Sequence, residues 1–530
     1  MLVGRYWCGG SGVRMLIWWV FFLCFFFCFF SVFSSVSSLF FLCFFSVSSL
    51  FLLCSFSFFS LFLLCFFLFF LFGHTCSQLS SEFHTTTLNV FTHTVRPDPK
   101  VVASGGRPYK AIVVLFLAGA ADSFNMLVPV TGCDPAHDLY QEYKTIRGNA
   151  ALDTSELINI VDTSNTQPCT TFGVHKNLPI VSDSYDLGEA AWIANMGTLI
   201  QPTTKQQFKD KSVPLPPSLF AHNVMQKSIA TMHPQLSSSS GILGRITDVL
   251  SSRTSQPYKS KLYSIAGPQK IVTGGPNADI ISGSVGVQRY VDYDVLKDSI
   301  VNMTHRMSEN YLSDTYSGTL KHILEATESL GTKLNQQTVT ATFSEEDLSS
   351  QFKQVAKVIK MHRHASTPSA ERVERAAFVT KLGGFDTHRD LAETLEARMA
   401  TINAALTSFV EEMKTHQQAW DEVTVVTISD FGRTLTSNGL GTDHAWGGNY
   451  FVMGGDIQGE QIHGQYPSKL GEENGEVNLG RGRIIPTTSW NSLWKPVAEW
   501  FGVNSGTEMD VCLPNHEKFP NVLGKGDLFK

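Results

Sequence analysis

The sequence predicts an α/β protein in which a mostly parallel central sheet is flanked by helices, behind an apolar N-terminal segment. Three observations support this prediction. Several apolar runs lack the polar alternation of a half-exposed strand, as expected where helices cover both faces of a sheet. One long segment between two such runs repeats its apolar residues at helical spacing. The beginning of the chain differs from the rest, because residues 15–72 contain no charged residue.

Residues 1–72 are predicted to be a signal or transmembrane segment. The apolar run of a signal peptide has about 7 to 15 residues, and this uncharged stretch is long enough for two spans of roughly 20 residues each. A Ser-Leu-Phe and Cys pattern recurs at an interval of 11 from Ser38. This repeat leaves open a right-handed helical supercoil or the translation of a repeated pyrimidine-rich tract. As a membrane-type segment, residues 1–72 predict membrane attachment and a secretory route, with an extracellular or membrane-anchored domain.

Residues 73–108 are predicted to be a linker, and residues 109–530 a single α/β domain. The linker is rich in Thr, Ser and His and ends in Pro and Gly turn signals, with one strand expected near residues 88–95. Five apolar runs in the domain predict strands of one buried sheet, and they lie at residues 111–117, 190–196, 377–382, 423–429 and 450–453.

The clearest predicted helix covers residues 389–418. Its apolar residues recur at steps of four and three, so one face packs on the sheet. The order strand, helix, strand around it predicts a right-handed parallel crossover. Residues 203–360 have Ser-rich and Pro-rich loops with weaker periodicity, and we expect them to form an elaboration that carries substrate-facing loops.

Three cysteines lie in the predicted domain, since seven of the ten occur up to Cys76. In an exported protein Cys133 and Cys169 could close a loop of about 37 residues, which stabilises the fold by roughly 3 to 5 kcal/mol, and Cys512 would stay free. The alternative is that all three are unpaired, partly buried thiols.

Charge and motifs exclude several function classes. The net charge of −6 and the lack of a basic stripe predict that nucleic acid is not a partner. No GxSxG elbow, P-loop or GxGxxG fingerprint is present, which disfavours serine esterases, nucleotide hydrolases and dehydrogenases. Five further histidines are interpreted as surface or loop residues, namely His175, His222, His362, His364 and His463.

Acidic residues follow three of the predicted strands. Asp122 comes after the first, Asp386 and His388 after the 377–382 run, and Asp430 after the 423–429 run, while His444 lies in the loop before the next strand. Ligands bind beyond the carboxyl ends of parallel strands, where these side chains would converge. Carboxylates and imidazoles together suit divalent metals such as Zn or Mn. Singly, each Asp also fits a helix cap or a turn.

A series of motifs then suggests a family. Along the chain the motifs read LAGAADSFNMLVP, FGVHKNLPIV, GGFDTH, SDFGRT and GTDHAWGGNYFVMGG. In this order they resemble the domain-of-unknown-function 1501 family, across nearly all of the chain after residue 108. That family is similar to the alkaline phosphatase-like and sulfatase-like superfamily, which implies two metal ions beside a hydroxyl or formylglycine nucleophile.

The resemblance implies roles for individual residues. Asp122 and Asp430 would match the ligands of one metal, whereas Asp386, His388 and His444 would match those of the other. Phe431 stands where the superfamily usually has His, which removes an imidazole from the first site.

The catalytic candidates are Ser123, as a nucleophile beside Asp122, and Arg433, as a contact for a phosphate or sulfate. Ser123 lies in no recognisable nucleophile motif. Arg433 could instead pair with Asp430 and only brace the loop.

Two hypotheses about function follow. The first is an exported or membrane-tethered metal-dependent hydrolase of phosphate or sulfate esters. The second is a non-catalytic descendant of that fold, which uses the same cleft to bind an anionic glycan or a partner protein. The retained acids with His388 and His444 favour the enzyme, whereas Phe431 and the unidentified nucleophile favour the binding protein.

Overall fold

The computed structural model describes residues 91–95, 103–236, 239–275, 278–284, 286–287, 289, 292–308, 310–363, 372–504 and 506–530. Residues 94–307 and 316–530 belong to one compact unit, which contains the central sheet and the candidate site, and the described residues 91–93 and 308–315 belong to a second. The predicted N-terminal segment, residues 1–72, lies outside the described residues. Within the part of the chain that is described, no helix is both long and apolar enough to cross a bilayer.

The strands are numbered in chain order. They are β1 (Phe91–Val95), β2 (Lys110–Leu117), β3 (Leu127–Thr131), β4 (Leu157–Val161), β5 (Thr171–His175), β6 (Ala190–Gly197), β7 (Ser260–Ser264), β8 (Asp279–Ser282), β9 (Gly286–Val287), β10 (Arg306–Ser308), β11 (Arg375–Leu382), β12 (Val423–Ser429), β13 (Arg433–Ser437), β14 (Thr442–His444), β15 (Gly448–Met453), β16 (Ile462–Gly464) and β17 (Thr488–Ser489).

The α-helices are numbered in the same way. They are α1 (Leu139–Arg147), α2 (Pro179–Asp186), α3 (Lys205–Asp210), α4 (His222–Thr231), α5 (Ile242–Ser251), α6 (Tyr293–Thr304), α7 (Tyr311–Asn335), α8 (Asp347–Arg363), α9 (Leu391–Glu411), α10 (Asn491–Phe501), α11 (Thr507–Cys512) and α12 (Lys525–Leu528).

A ten-stranded, mostly parallel sheet forms the centre of the larger unit. Its order is β16-β6-β15-β12-β2-β11-β7-β8-β9, and β17 also pairs with β6. All five predicted strands lie in it, as β2, β6, β11, β12 and β15. The strand at 450–453 is extended to Gly448–Met453 and runs antiparallel to both of its neighbours. The predicted fold class, a mostly parallel sheet flanked by helices, is confirmed.

Helices cover both faces of the sheet because alternate residues of its strands point to opposite sides. In β2, Val113 and Leu115 pack in the cluster that includes residues of α2, α8 and α9. Val114 and Phe116 pack on the other face, in the cluster that includes residues of α4, α5 and α10. The helix predicted at 389–418 corresponds to α9, which begins at Leu391 and ends at Glu411. A π-helical turn, Glu412–His416, follows it.

The middle of the chain does more than carry loops. It supplies β7 and β8, which extend the central sheet beyond β11 in parallel. It also supplies α4, which packs near the carboxyl end of β12. The sequence pattern of residues 203–360 did not predict β7 and β8, because these strands are only five and four residues long.

Two glycines allow backbone segments to approach closely at the carboxyl edge of the sheet. Gly119, after β2, has a φ of +114°, and a Cβ there would lie 2.6 Å from the backbone nitrogen of Asp386. A Cβ on Gly441 would lie 2.2 Å from the carbonyl oxygen of Thr387. Any side chain at either position would therefore push apart the loops that follow β2, β11 and β13.

Cys133 and Cys169 form a disulfide across a sequence separation of 36 residues. Among the described residues Cys512 is a free, buried cysteine. The pairing expected for an exported protein is therefore present, rather than three unpaired thiols.

His362 is a neutral, buried histidine near the end of α8. The hydroxyl of Tyr263 donates a hydrogen bond to its Nε2 over 2.6 Å. Burial, helped by nearby lysines, lowers the pKa of His362 to about 3. The pKa of the ring is about 6.5 in the unfolded chain, so the unfolded state binds the proton more readily. Stability is therefore lost as the pH falls from about 6.5 towards 3.

We predict that His362→Gln reduces the acid sensitivity of folding. The native protein should lose up to about 1.4 kcal/mol of unfolding free energy per pH unit through this one group, and the variant should lack that contribution. Urea unfolding at pH 6.5, 5.5 and 4.5 measures the slope. The matched control is His322→Gln, at an exposed histidine, which should leave the slope unchanged. Equal slopes for His362→Gln and the native protein would contradict the prediction.

Candidate metal centre

Three imidazoles and one carboxylate meet at the carboxyl edge of the sheet. The Nε2 of His444 lies 3.1 Å from the Nε2 of His222, 3.0 Å from that of His388, and 3.1 Å from the Oδ1 of Asp386. His222 begins α4, Asp386 and His388 follow β11, and His444 ends β14. Potential ligand atoms of His222, Asp386 and His444 all lie within 4.8 Å of one another. His388 adjoins this group through His444 and Asp386.

The Nδ1 atom of each imidazole faces an oxygen that can only accept a hydrogen bond. His222 Nδ1 lies 2.6 Å from the Oδ2 of Asp430, and His388 Nδ1 lies 3.1 Å from the Oδ1 of Asp443. His444 Nδ1 lies 2.7 Å from the carbonyl oxygen of Phe220. We assign the proton to Nδ1 in each neutral ring on these contacts, which leaves an unshared electron pair on each Nε2.

The donor set fits a divalent metal ion. Unprotonated Nε2 atoms cannot donate to each other, so their contacts near 3 Å are repulsive unless a cation or an extra proton lies among them. In a tetrahedral site with bonds near 2 Å, ligand atoms are separated by roughly 3.3 Å. The ligand atoms of His222, Asp386 and His444 have this spacing, with separations of 3.1, 3.1 and 3.5 Å. Imidazoles whose other nitrogen donates to a carboxylate or carbonyl are typical of metal sites. Nitrogen donors with one carboxylate suit Zn better than Mg or Ca.

Asp386 contributes the negative charge of this group. Burial alone would raise its pKa, but the hydrogen bond from Arg433 and the positive charge of Arg433 hold the pKa below its usual value. The η1 nitrogen of Arg433 donates to Asp386 Oδ1 over 2.9 Å. Asp386 is therefore a carboxylate at neutral pH.

Arg433 is fully buried and braces the centre. Its η1 nitrogen also donates to the carbonyl oxygen of Gly119, and its ε and η2 nitrogens donate to Thr442. The β13–β14 hairpin pairs Arg433 directly with His444. The sequence left open a contact with an anion or a pair with Asp430, whereas the carboxylate partner in the structure is Asp386. This geometry supports a positioning role, and contact with an anion stays a prediction.

Asp430 lies behind His222. Its Oδ2 accepts hydrogen bonds from His222 Nδ1 and, over 3.1 Å, from the Nε2 of Gln226. Asp122 is fully buried, and its Oδ2 accepts from Arg147 at 2.8 Å and from Thr442 at 3.0 Å. Neither Asp belongs to a group of converging ligand atoms among the described residues. That these two acids are ligands of one metal stays a prediction.

Ser123, the predicted nucleophile, is fully buried. Its Oγ accepts a hydrogen bond from the backbone nitrogen of Asn449 over 2.8 Å, and the Asn449 amide donates to its carbonyl oxygen. These contacts tie the loop after β2 to β15. A nucleophilic role for Ser123 remains a prediction, and the contacts support a structural one.

His222 is the residue that sequence analysis missed. It was interpreted as a surface or loop histidine, because it lies in the middle region, outside the motifs. The only signal available was its position near the start of a predicted loop-rich segment, which does not distinguish a ligand. Phe431 packs against His222 with ring centroids 4.8 Å apart and against His444 at 5.0 Å. Phe431 therefore packs against two of the imidazoles of the centre.

A family model described as "Protein of unknown function (DUF1501)" matches residues 109–478. No curated protein matches the chain. Similar solved structures include the lipoteichoic acid synthase LtaP from Listeria monocytogenes, with 8% identity, a TM-score of 0.30 and 79% of each chain covered.

Two further structures show the same degree of likeness. PsFucS1 sulfatase from Pseudoalteromonas sp. has 10% identity and a TM-score of 0.27, with 68% of this chain and 65% of that one covered. A protein in the alkaline phosphatase superfamily from Vibrio parahaemolyticus has 11% identity and a TM-score of 0.29, with 72% and 69% covered. Likenesses at these TM-scores carry no weight for activity.

We predict that the protein binds one divalent ion per chain through this centre. His444→Asn should abolish tight binding of Zn, since His444 contacts all the other donors. Asp443→Asn should weaken binding of the ion by about 10- to 100-fold, because Asp443 orients His388 and does not itself bind the ion. Elemental analysis and competition with a chromogenic chelator measure both effects.

The matched control is His516→Asn. His516 belongs to the other group of potential ligands, Asp510, His516 and Glu517, in which both acids are exposed. Binding should be unchanged in that variant. Two tightly bound ions per chain would favour the two-metal arrangement implied by the family resemblance, and less than one would exclude the centre.

Proposed function

The chain belongs to the DUF1501 family, and on that premise we propose that it is a metal-dependent hydrolase of phosphate or sulfate esters. One observation supports the proposal most strongly. The Nε2 atoms of His222, His388 and His444 converge with Asp386 while every Nδ1 is held by an oxygen. In a purely structural histidine cluster, nothing would offset the repulsion between unshared electron pairs that face one another.

The residues of the centre have two separate roles. His222, His388, His444 and Asp386 would hold the ion, whereas Asp430, Asp443 and the Phe220 carbonyl fix the tautomers of the rings. A divalent ion bound there would supply Lewis-acid chemistry that polarises an ester oxygen. Arg433 keeps Asp386 in place and anionic, so the ligand set needs no rearrangement when substrate enters.

One side of the centre is open to substrate. The side chains of Asp386 and His388 are 47% and 44% exposed, whereas those of His222 and His444 are 26% and 24% exposed. A substrate would therefore approach over Asp386 and His388. The phosphate or sulfate preference follows from the family resemblance, since the ligand set alone suits either ester.

We predict hydrolysis of 4-nitrophenyl phosphate or 4-nitrophenyl sulfate that requires Zn or Mn. His444→Asn should lower kcat by about 10²- to 10⁴-fold, because stabilisation of developing charge by an ion is worth several kcal/mol. Ser123→Ala tests the predicted nucleophile, since a comparable loss with normal metal content would assign it that role.

The control for the kinetic test is His516→Asn, which should keep the native rate. A protein that binds one ion per chain and hydrolyses neither ester would contradict the enzyme proposal. That outcome would leave a non-catalytic role in binding an anionic glycan or a protein.

We further propose that the domain is exported through the secretory route. The Cys133–Cys169 disulfide supports this proposal, because such bonds persist in oxidising compartments and are rare in the cytosol. Attachment to a membrane through residues 1–72 stays a prediction from the sequence, since those residues are outside the described part of the chain.

We predict that Cys133→Ser lowers the free energy of unfolding by about 3 to 4 kcal/mol, as expected for opening a loop of this length. Chemical unfolding without reductant measures the loss, and Cys512→Ser is the unpaired control. Alkylation of the native protein taken directly from cells, followed by mass spectrometry, tests the location. Free thiols at Cys133 and Cys169 in that protein would contradict export.

A further inference from the structure

A cavity opens along α4, the helix that also carries His222 of the metal centre. Its volume is about 310 Å³, and it lies between α4, the loop after β7, and the carboxyl ends of β2, β11 and β12. Three lysines line it, namely Lys227 of α4, Lys270 after β7 and Lys381 of β11. No acidic residue is among the residues that line it. Neither the family resemblance nor the metal centre assigns a role to this lysine pocket.

The lysines of this pocket have no carboxylate partner among the described residues. No ion pair or hydrogen bond of the Lys227, Lys270 or Lys381 ammonium group is found there, although many other lysines are paired. Lys270 and Lys381 are also half-buried. Three like charges around one cavity repel each other, and an anion within the cavity would offset that repulsion.

The floor of the pocket is apolar, and side chains at paired positions of neighbouring strands form it. Ile428, Phe116 and Lys381 occupy one row across β12, β2 and β11, since Phe116 is the register partner of both of the others. The Lys381 ammonium lies 5.7 Å from the centre of the Phe116 ring. The row places a cation at the edge of an apolar surface, which suits an anionic group carried on a carbon skeleton.

The lysine pocket and the metal centre share α4. His222 belongs to the centre, whereas Gln226 lines the pocket and donates to Asp430 behind His222. Four residues along a helix correspond to about 6 Å. The pocket and the centre therefore adjoin through consecutive turns of α4.

We propose that the lysine pocket binds a second anionic group of the substrate, so that the substrate is an ester bearing another carboxylate, sulfate or phosphate. This inference rests on the proposed hydrolase function for its link to catalysis. The binding of an anion in the pocket does not depend on that function and can be measured by itself.

The binding test uses benzenesulfonate, which has an anionic group on an apolar ring and no ester to hydrolyse. Titration followed by nuclear magnetic resonance should show binding at least 10-fold tighter than that of benzenesulfonamide, its neutral analogue. The double variant Lys270→Met/Lys381→Met should lose at least 10-fold in affinity, and Lys270→Arg/Lys381→Arg should retain most of it. Lys518→Met, at an exposed lysine outside the pocket, is the matched control.

The kinetic test compares phenyl phosphate with 4-carboxyphenyl phosphate. The Met double variant should raise the KM for the carboxylate-bearing ester about 10-fold while leaving that for phenyl phosphate unchanged.

The two proposals fail in different ways. If benzenesulfonate binds the Met variant and the native protein equally, the lysine pocket is overturned and the metal centre is unaffected. If His444→Asn retains lysine-dependent sulfonate binding while no form of the protein hydrolyses an ester, the hydrolase proposal fails and the anion pocket stands. Circular dichroism of each variant separates loss of binding from loss of folding. The Arg double variant changes the same two positions and keeps their charge, so it serves as the folded reference for the Met double variant.

Discussion

The candidate site depends on the parallel alignment of three adjacent strands. Leu117 at the end of β2 is the register partner of Leu382 at the end of β11 and of Ser429 at the end of β12. The three strands therefore stop at one level, and the chain leaves each of them towards the same edge. Asp386, Asp430 and the loop at Gly119 start from this level, so a shift in register of one strand would separate them.

Hydrogen bonds convert this alignment into a site. Ser429 Oγ donates to the carbonyl of Leu117 and accepts from the backbone nitrogen of Ala121, which fastens the loop after β2 to the end of β12. Arg433, in the hairpin beyond β12, reaches across to Asp386 beyond β11. Each contact links segments far apart in sequence, and each leaves a charged or polar group satisfied inside the protein. The imidazoles are held within this frame, so their direction is set before any ion binds.

The same frame explains why two acids that look alike in sequence have different surroundings. Asp122 and Asp430 both follow strands of the sheet, yet Asp122 faces Arg147 of α1, whereas Asp430 faces His222 of α4. A buried carboxylate takes the strongest donor within reach, because leaving it unpaired costs several kcal/mol. The donors come from helices on different sides of the loops, and no local pattern in the sequence records which helix each acid meets.

The sequence by itself determined the fold class, the five strands, the main helix and the edge of the sheet where chemistry would gather. These predictions follow from the periodicity and the apolar content of short segments, which depend only on residues close together in sequence. It also predicted Asp386, His388 and His444 as metal ligands, because the motifs around them resemble those of a known family. Tertiary structure alone decided that His222 completes the group, that Arg433 pairs with Asp386, and that three lysines surround one cavity. Those contacts join residues up to about 200 positions apart, and they exist only once the sheet fixes the register of its strands and helices pack on its two faces.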